Sequence, residues 1–599
     1  MKDFLKGVLA SAVGTGLAFI LVTVGSLVLL AALLTQGPST GHVNVRVQPG
    51  TFLVIGNGMA VTDTPAHGTP DLQSFLTGGG HMPEVDLYRA LEAIDLAAKD
   101  KNIAGILLTE GLEAGLATRS ELRKALAAFA KGNKPVIAWM EGPSTGQYAF
   151  LSVAKTVVMH PSGELQFAGI AAYSPYYGES LKRLGIGVQV TKVGKYKSAV
   201  EPLIGDKMSE PARQQEQELL DDIWQRLVDE VARSRGIPAP ALAQAASNPG
   251  LFSAKRALEL KLVDKLLQRD ELIQELLAAG GKADNEGSFR QMSLARYAGK
   301  VALPSSGPTI AVVYAEGEIV DGMGGDDSVG GDRVAAALRR LRADDEVKAV
   351  VLRVNSPGGS AFASEIIHRE LDLLRKKKIP VVVSMGDLAA SGGYYISSPG
   401  TTVLADPMTI TGSIGVFGLH FNYGELATKL SLGTDGVKTS TYADLMQPHR
   451  PATPDELAII QRSVDEVYEQ FLGVVAQGRK MEHDAVHAIA QGRVWSGSRA
   501  RKIGLVDRFG GLRDAIAEAA RLAGLERHAL RQVPGLHEDR RSLAEIILSD
   551  DEENPVFAKA RREPLVSLLR DQLRSLESLR NLNDRRGIYL IAPVRVDVR

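Results

Sequence analysis

Three short stretches hold residue types that acyl-transfer chemistry uses. The first is Gly386-Asp387-Leu388-Ala389-Ala390-Ser391-Gly392-Gly393-Tyr394-Tyr395, directly after the β-rich run Pro380-Val381-Val382-Val383-Ser384-Met385. An apolar, β-branched run ending in small residues and then Ser-Gly-Gly predicts a buried strand, a tight turn and a helix start at Ser391. There a hydroxyl sits among unpaired N–H groups, and the helix dipole favours the negative charge that develops when a serine attacks a carbonyl. A lone serine at such a turn is ordinarily a helix cap. The second stretch, Asn355-Ser356-Pro357-Gly358-Gly359-Ser360, again joins an apolar run to a helical one. Paired glycines let a backbone approach a substrate and turn N–H groups toward an oxyanion, although Pro-Gly alone is a common turn. The third, Gly194-Lys195-Tyr196-Lys197-Ser198-Ala199-Val200-Glu201-Pro202, supplies lysines. A serine hydroxyl needs a base, and a lysine whose charge is suppressed by burial can be one. On these residues alone Lys195 and Lys197 are equal candidates, and each also reads as a solvated surface lysine.

An internal repeat relates these stretches. Val157-Val158-Met159-His160-Pro161 recurs as Val403-Leu404-Ala405-Asp406-Pro407, Gly169 as Gly415, and Tyr177-Gly178-Glu179 as Tyr423-Gly424-Glu425, all 246 positions apart. Lys192 and Tyr196 recur as Lys438 and Tyr442 at the same offset, and Leu262-Val263-Asp264 matches Leu505-Val506-Asp507 after a small indel. The chain is therefore a tandem duplication. Ser391 falls opposite Thr145, Lys197 opposite Ala443, Lys195 opposite Thr441, and the Pro-Gly-Gly loop opposite Thr109-Glu110-Gly111-Leu112-Glu113. One copy keeps the serine and the glycine loop; the other keeps the lysine.

In each copy strand-like runs (310–314, 349–354, 380–385, 401–404) alternate with amphipathic helical stretches (332–342, 363–377, 454–479). That pattern predicts two tandem α/β domains with mostly parallel sheets, whose ligand sites lie at the carboxyl ends of strands. The expected organisation is a membrane anchor at 1–40, an α/β repeat at 41–285 carrying the lysine, a linker at 286–307, an α/β repeat at 308–527 carrying the serine, and a helical tail with a final strand at 528–599.

Composition sets the outer limits. With 599 residues, 45% hydrophobic and 23% charged, the chain can bury large cores, and a net charge of −1 gives no case for nucleic acid. Cysteine is absent, which excludes disulfides, thiolate metal sites and a cysteine nucleophile. No pattern implies a cofactor. Residues 7–35 hold no charged side chain, longer than the roughly 20 residues that cross a bilayer. Lys2 and Lys6 precede this segment and the next basic residue is Arg46, so the positive-inside rule places the N-terminus in the cytoplasm and the body outside. A cleaved signal peptide is the competing reading, but its apolar region is about 7 to 15 residues.

Taken together, the Ser-Gly-Gly-Tyr-Tyr turn, the Asn-Ser-Pro-Gly-Gly-Ser loop, Thr411-Gly412-Ser413-Ile414-Gly415-Val416 and Tyr196-Lys197-Ser198-Ala199-Val200-Glu201-Pro202 resemble the long, tandem form of signal peptide peptidase A, or protease IV. The resemblance runs from the N-terminal anchor to Ile588-Tyr589-Leu590-Ile591. It implies a crotonase- or Clp-protease-like fold and an inner-membrane Ser-Lys peptidase that degrades signal peptides and other unstructured apolar peptides. It implies Ser391 as nucleophile and Lys197, rather than Lys195, as general base. Ser413 would orient the lysine, and Gly358, Gly359 and Gly392 would form the oxyanion region. It also implies a homo-oligomer, a tetramer, enclosing the sites.

Rival constellations are weaker. No histidine lies in one of these motifs: His368 falls in a helical pattern and His420 in an expected loop. His483 and His487 have i, i+4 spacing, but Asp484 stands where a zinc-protease motif needs Glu, so they read as solvated helix positions. Acyl-CoA chemistry would suit the glycine loop, yet a body outside the membrane has no access to cytoplasmic CoA; a non-catalytic scaffold would not need both Ser391 and Lys197. Leucines at 565, 568, 569, 573, 576 and 579 give the basic tail an amphipathic face, read as packing on protein rather than on membrane.

Overall fold

The structure is a computed structural model that describes residues 45–65, 83–325, 327–533, 582–584 and 587–592. The expected membrane segment at 7–35 and the leucine-rich tail lie outside the described residues. Among the described residues no helix is long and apolar enough to cross a membrane.

The first copy contributes seven strands that matter here: Thr51–Ile55 (β1), Ile103–Leu108 (β2), Val136–Met140 (β3), Thr156–Met159 (β4), Gly187–Val193 (β5), Lys265–Leu266 (β6) and Gln291–Ser293 (β7). The second contributes Thr309–Glu316 (β8), Glu318–Val320 (β9), Ser328–Gly330 (β10), Val347–Ser356 (β11), Gly358–Ser360 (β12), Val381–Ala390 (β13), Thr402–Ala405 (β14), Ile410–Gly412 (β15), Val416–Asn422 (β16), Val494–Ser496 (β17), Arg508–Phe509 (β18), Ala529–Val533 (β19) and Ile588–Ile591 (β20). The helices nearest the site are Leu116–Ala130 (α1), Thr145–Leu151 (α2), Glu210–Arg235 (α3), Ala361–Lys376 (α4), Gly392–Ser397 (α5), Pro454–Arg479 (α6) and Leu512–Leu522 (α7).

Each copy builds a parallel sheet with the same strand order, β6-β4-β3-β2-β1-β7 in the first and β18-β14-β13-β11-β8-β19 in the second. The near-continuous apolar runs of β8, β11 and β13 follow from burial on both faces, where alternation has no solvent side to mark. The duplication is repeated in side-chain contacts. Tyr148 donates to Leu262 O at 2.8 Å and its counterpart Tyr394 to Leu505 O at 2.9 Å; Asp264 and Asp507 each accept from the backbone N–H of Val157 and Val403 at 2.7 Å.

Several elements differ from the sequence expectation. The stretch read as a linker contains β7, and the tail contains β19; each is an edge strand of its sheet, paired with β1 and β8 respectively. Gln291-Met292-Ser293 has one apolar side chain, too few to show a period. Strand β13 does not stop at Met385. It continues through Gly386 and Asp387, pairs β14 along 382–384 and then β15 along 388–390, and delivers Ser391 without an intervening turn. His420, expected in a loop, lies in β16 and is buried; Gly415 and Gly418 break its apolar run, and its partner strand belongs to the other copy.

That partnership forms a third sheet, ordered β10-β9-β12-β20-β16-β5. Strand β5 leaves the first copy and pairs antiparallel with β16 of the second over seven residues, from Gly187↔Asn422 to Val193↔Val416. Buried charge joins the copies a second time. Arg353 on β11 pairs with Asp63 at 2.8 Å and with Glu121 on α1 at 3.0 Å. Asp387 on β13 caps the start of α1, accepting from Ala117 N at 2.6 Å and Thr118 Oγ1 at 3.1 Å. Glu121 accepts in turn from Leu512 N at the start of α7, 2.8 Å away. Burial pushes the carboxyls of Glu121 and Asp387 upward, and Arg353 opposes it.

Candidate active site

Strand β13 is buried except at Asp387 and Leu388, which are half-buried, and ends at Ala390; Ser391 follows at the N-cap position of α5. Ser391 has φ 56° and ψ −114°, a left-handed conformation uncommon for a residue with a side chain. Its N–H donates to Gly412 O at 2.8 Å, holding the strained residue against β15. The hydroxyl does not cap α5. It faces Lys197 instead, with Nζ to Oγ at 2.7 Å.

Lys197 lies four residues beyond the end of β5, so the β5–β16 pairing carries it into the second copy. The side chain is fully buried. Nζ also lies 3.1 Å from Ser413 O and 3.1 Å from Ser413 Oγ. Burial alone drives the Lys197 pKa well below its ordinary 10.5, with no ion pair to offset it. A neutral amine has two N–H groups and one lone pair. Ser413 O can only accept and Ser413 Oγ can accept as well, so these two atoms take the N–H groups and leave the lone pair toward Ser391. Ser413 is itself left-handed, φ 52°, and its N–H is held by Arg493 O at 2.7 Å.

The glycine loop lies against the same helix start. Gly358 has φ 98° and Gly359 φ 156°. A Cβ on Gly358 would stand 2.6 Å from Gly392 N and one on Gly359 2.7 Å from Ile319 C, so side chains are excluded from both, while one on Gly392 would crowd Ser364 Oγ at 2.7 Å and Gly359 N at 3.2 Å. The Gly358 N–H donates to Ser356 Oγ at 3.2 Å. Gly392, first residue of α5, has no intrahelical acceptor for its own. Strand β20 docks antiparallel along the loop, Gly358↔Ile591 to Ser360↔Tyr589.

The residues singled out as Ser391, Lys197, Ser413, Gly358, Gly359 and Gly392 thus lie together within one chain. Lys195 does not join them: it is exposed, with Nζ 5.1 Å above the Tyr196 ring. His368 stacks edge-on with Tyr395, His483 pairs with Glu469 at 3.0 Å, and His487 Nδ1 lies 3.1 Å from Tyr468 OH. Two residues were missed from sequence. A Cβ on Gly492 (φ 78°) would stand 2.6 Å from Lys197 Cβ, and one on Gly415 3.3 Å from Lys197 Cδ. Gly415 was visible as a repeat match; Gly492 carried no signal. Among the described residues the first copy has no equivalent site. Phe167 stands opposite Ser413 and packs on Tyr148 and Trp224, while the Glu110 carboxylate accepts from Glu141 N at 2.7 Å and Gly142 N at 2.8 Å.

A buried serine–lysine contact beside a glycine loop is equipment for acyl transfer by a serine hydrolase. The model of peptidase family S49 matches residues 128–281 and 373–526, once in each copy. "Protease 4" of Salmonella typhi is 37% identical over 80% of this chain and 82% of its own. "Protease 4" of Haemophilus influenzae is 33% identical over 86% of each chain, and "Serine protease SPPA, chloroplastic" of Arabidopsis thaliana 29% over 80% of this chain and 70% of its own. The protein is a serine peptidase. It belongs to peptidase family S49, in the tandem form that the protease 4 relatives represent. The acyl-CoA and scaffold readings find no support here.

Proposed function

We propose that this chain is a membrane-anchored serine endopeptidase with a Ser391–Lys197 dyad that degrades cleaved signal peptides and other unstructured apolar peptides. The 2.7 Å contact between Ser391 Oγ and a buried Lys197 Nζ that faces no carboxylate among the described residues carries the reading. In this mechanism Lys197 takes the Ser391 proton as Oγ bonds to the scissile carbonyl carbon. The resulting ammonium gives that proton to the departing amine, leaving an acyl-enzyme. Water then attacks the ester, Lys197 accepts its proton and returns it to Oγ, and the acid product leaves. Ser413 orients the amine, and the loop at Gly358 and Gly359 with the Gly392 N–H holds the oxyanion.

Extended, unstructured peptides are the substrate class of this reading, because docking as a strand needs free backbone groups that a folded protein does not offer. Residues 7–35 serve as the single anchor in an inner membrane, with the N-terminus cytoplasmic and the catalytic body periplasmic. The parallel sheets and the loop–helix site agree with a crotonase- or Clp-like fold, and the working form is a homo-oligomer, a tetramer.

Hydrolysis of an apolar peptide ester by purified full-length protein tests the dyad. Ser391→Ala and Lys197→Ala should each lower kcat/KM by at least about a thousandfold, while Lys195→Ala stays near wild type. Full activity in Lys197→Ala would sink the mechanism, and full activity in Ser391→Ala the assignment of the nucleophile.

A further inference from the structure

All strands of the first copy's parallel sheet start at one edge, and the chain enters that edge at Val47–Gly50, directly before β1. Hydrogen bonds join the neighbouring loops there. Thr51 N donates to Asn102 O at 3.0 Å, Lys134 Nζ to Ala97 O at 2.7 Å and Asp100 O at 2.6 Å, and Arg290 Nη1 to Pro49 O at 3.0 Å. Lys101, Lys131, Lys155, Lys261 and Lys282 stand exposed along this edge, and among the described residues none of these ammonium groups has an ion-pair or hydrogen-bond partner. The acids of the edge are fewer and mostly engaged: Asp100 pairs with Lys300 at 2.8 Å and Asp264 with Arg235 at 2.6 Å, while Asp284 accepts from Ser288 N at 2.8 Å. Although the whole chain has a net charge of −1, this edge is basic.

Lysines near helix ends ordinarily complement the helix dipole, but the second copy shows that the fold does not require these. Lys101 stands opposite Asp345, each following an aspartate (Asp100, Asp344) that ends an equivalent helix. Lys155 stands opposite Thr401, their N–H groups donating to Val136 O at 3.1 Å and Val381 O at 2.6 Å. Lys261 stands opposite Gly504, both left-handed with φ 60° and 83°, so a lysine is kept where glycine costs less. In the second copy the same edge is neutralised: Asp344 pairs with Arg531 at 2.7 Å, Asp345 with Lys377 at 3.2 Å and Lys376 with Asp372 at 2.7 Å. We propose that the basic edge of the first copy rests on the anionic headgroups of the bilayer that holds residues 7–35. The inference rests on the anchor reading. From Thr35 to Val47 the chain spans at most about 40 Å when fully extended, which ties this edge to the bilayer surface. Unpaired lysines on flexible stems suit a layer of lipid phosphates, which offers many charges and no fixed partner.

The chain has no cysteine, so one introduced thiol carries a fluorophore without background. Asn133→Cys places it on the basic edge, and Ser162→Cys beyond the carboxyl end of β4, roughly 15–20 Å away. Full-length protein is reconstituted into vesicles of phosphatidylcholine alone or with about a third phosphatidylglycerol, both carrying a headgroup nitroxide that quenches at short range. The probe of Asn133→Cys should be quenched at least about twofold more in the anionic vesicles, and about 1 M salt, with a screening length near 3 Å, should remove the difference. The probe of Ser162→Cys should report no difference. Adding Lys101→Asp, Lys155→Thr and Lys261→Gly, which install the second copy's residues, should abolish the difference at low salt while peptide-ester hydrolysis in detergent stays at the wild-type rate. Equal quenching in the two kinds of vesicle, or substituted protein quenched like the unsubstituted, overturns the basic face. Protein that a carbonate wash strips from the vesicles overturns the anchor and the inference together; protein retained but unquenched overturns the inference alone.

Discussion

At Ser391 and Lys197 two unfavourable local states sit face to face: a left-handed serine and a lysine stripped of water. Each costs free energy, and each suits the nucleophile and base roles proposed for them. The pH dependence follows from the lowered lysine pKa. Activity should rise with pH as the ammonium of Lys197 loses its proton, with a midpoint below 10.5. Stability moves with the same sign. Between the folded pKa and 10.5 the unfolded chain holds a proton that the folded one lacks, so stability rises with pH across that window, and below it the burial penalty is present in full. Unfolding midpoints of wild type and Lys197→Met, followed over pH, should converge or cross in favour of wild type as pH rises; parallel curves would contradict a depressed pKa. Gly492 tests the positioning. Its Cβ would press on Lys197 N and Cβ at 2.6 Å, so Gly492→Ala should cut kcat on the order of a hundredfold while circular dichroism stays native.

At the scale of elements, the site depends on two couplings between copies. Strand β5 delivers the lysine, and the Arg353 cluster with the Asp387 cap ties α1 of the first copy to β11 and β13 of the second. Arg353→Met would leave Asp63 and Glu121 buried without their cation, a loss of roughly 3–5 kcal/mol, read as a lowered denaturation midpoint. Restoring neutrality with Asp63→Asn and Glu121→Gln should recover part of it. Neither coupling was legible in the sequence. The motifs around Ser391 and Lys197 were, because a local run of small and apolar residues and the repeat both mark them. Strand β5 reads as an ordinary half-exposed segment, since its partner lies in the other copy. Arg353 and Asp63 are single polar residues at positions that the apolar pattern treats as noise, and β7 and β19 are too short to show a period. What sequence periodicity registers is burial within one element; these features arise from contacts across copies.

The whole molecule answers a question that duplication raises, namely why both copies persist when, among the described residues, a single junction carries the proposed dyad. Ser391 comes from the second copy and Lys197 from the first, so each has lost what the other retains, and the fused chain brings the pair together without a partner. Inside one chain they lie 2.7 Å apart. Ser391→Ala and Lys197→Ala chains, each inactive, should therefore stay inactive when mixed under conditions of subunit exchange. A chain lacking the serine cannot lend its lysine, because Lys197 is fully buried inside its own chain, held beside Ser413. Peptide-ester hydrolysis after exchange is the measurement, with exchange itself followed by energy transfer between differently labelled chains. Recovery of even a quarter of wild-type activity, together with demonstrated exchange, would mean that the lysine of one chain serves the serine of another. The β5–β16 pairing within a chain would then not be the arrangement that works.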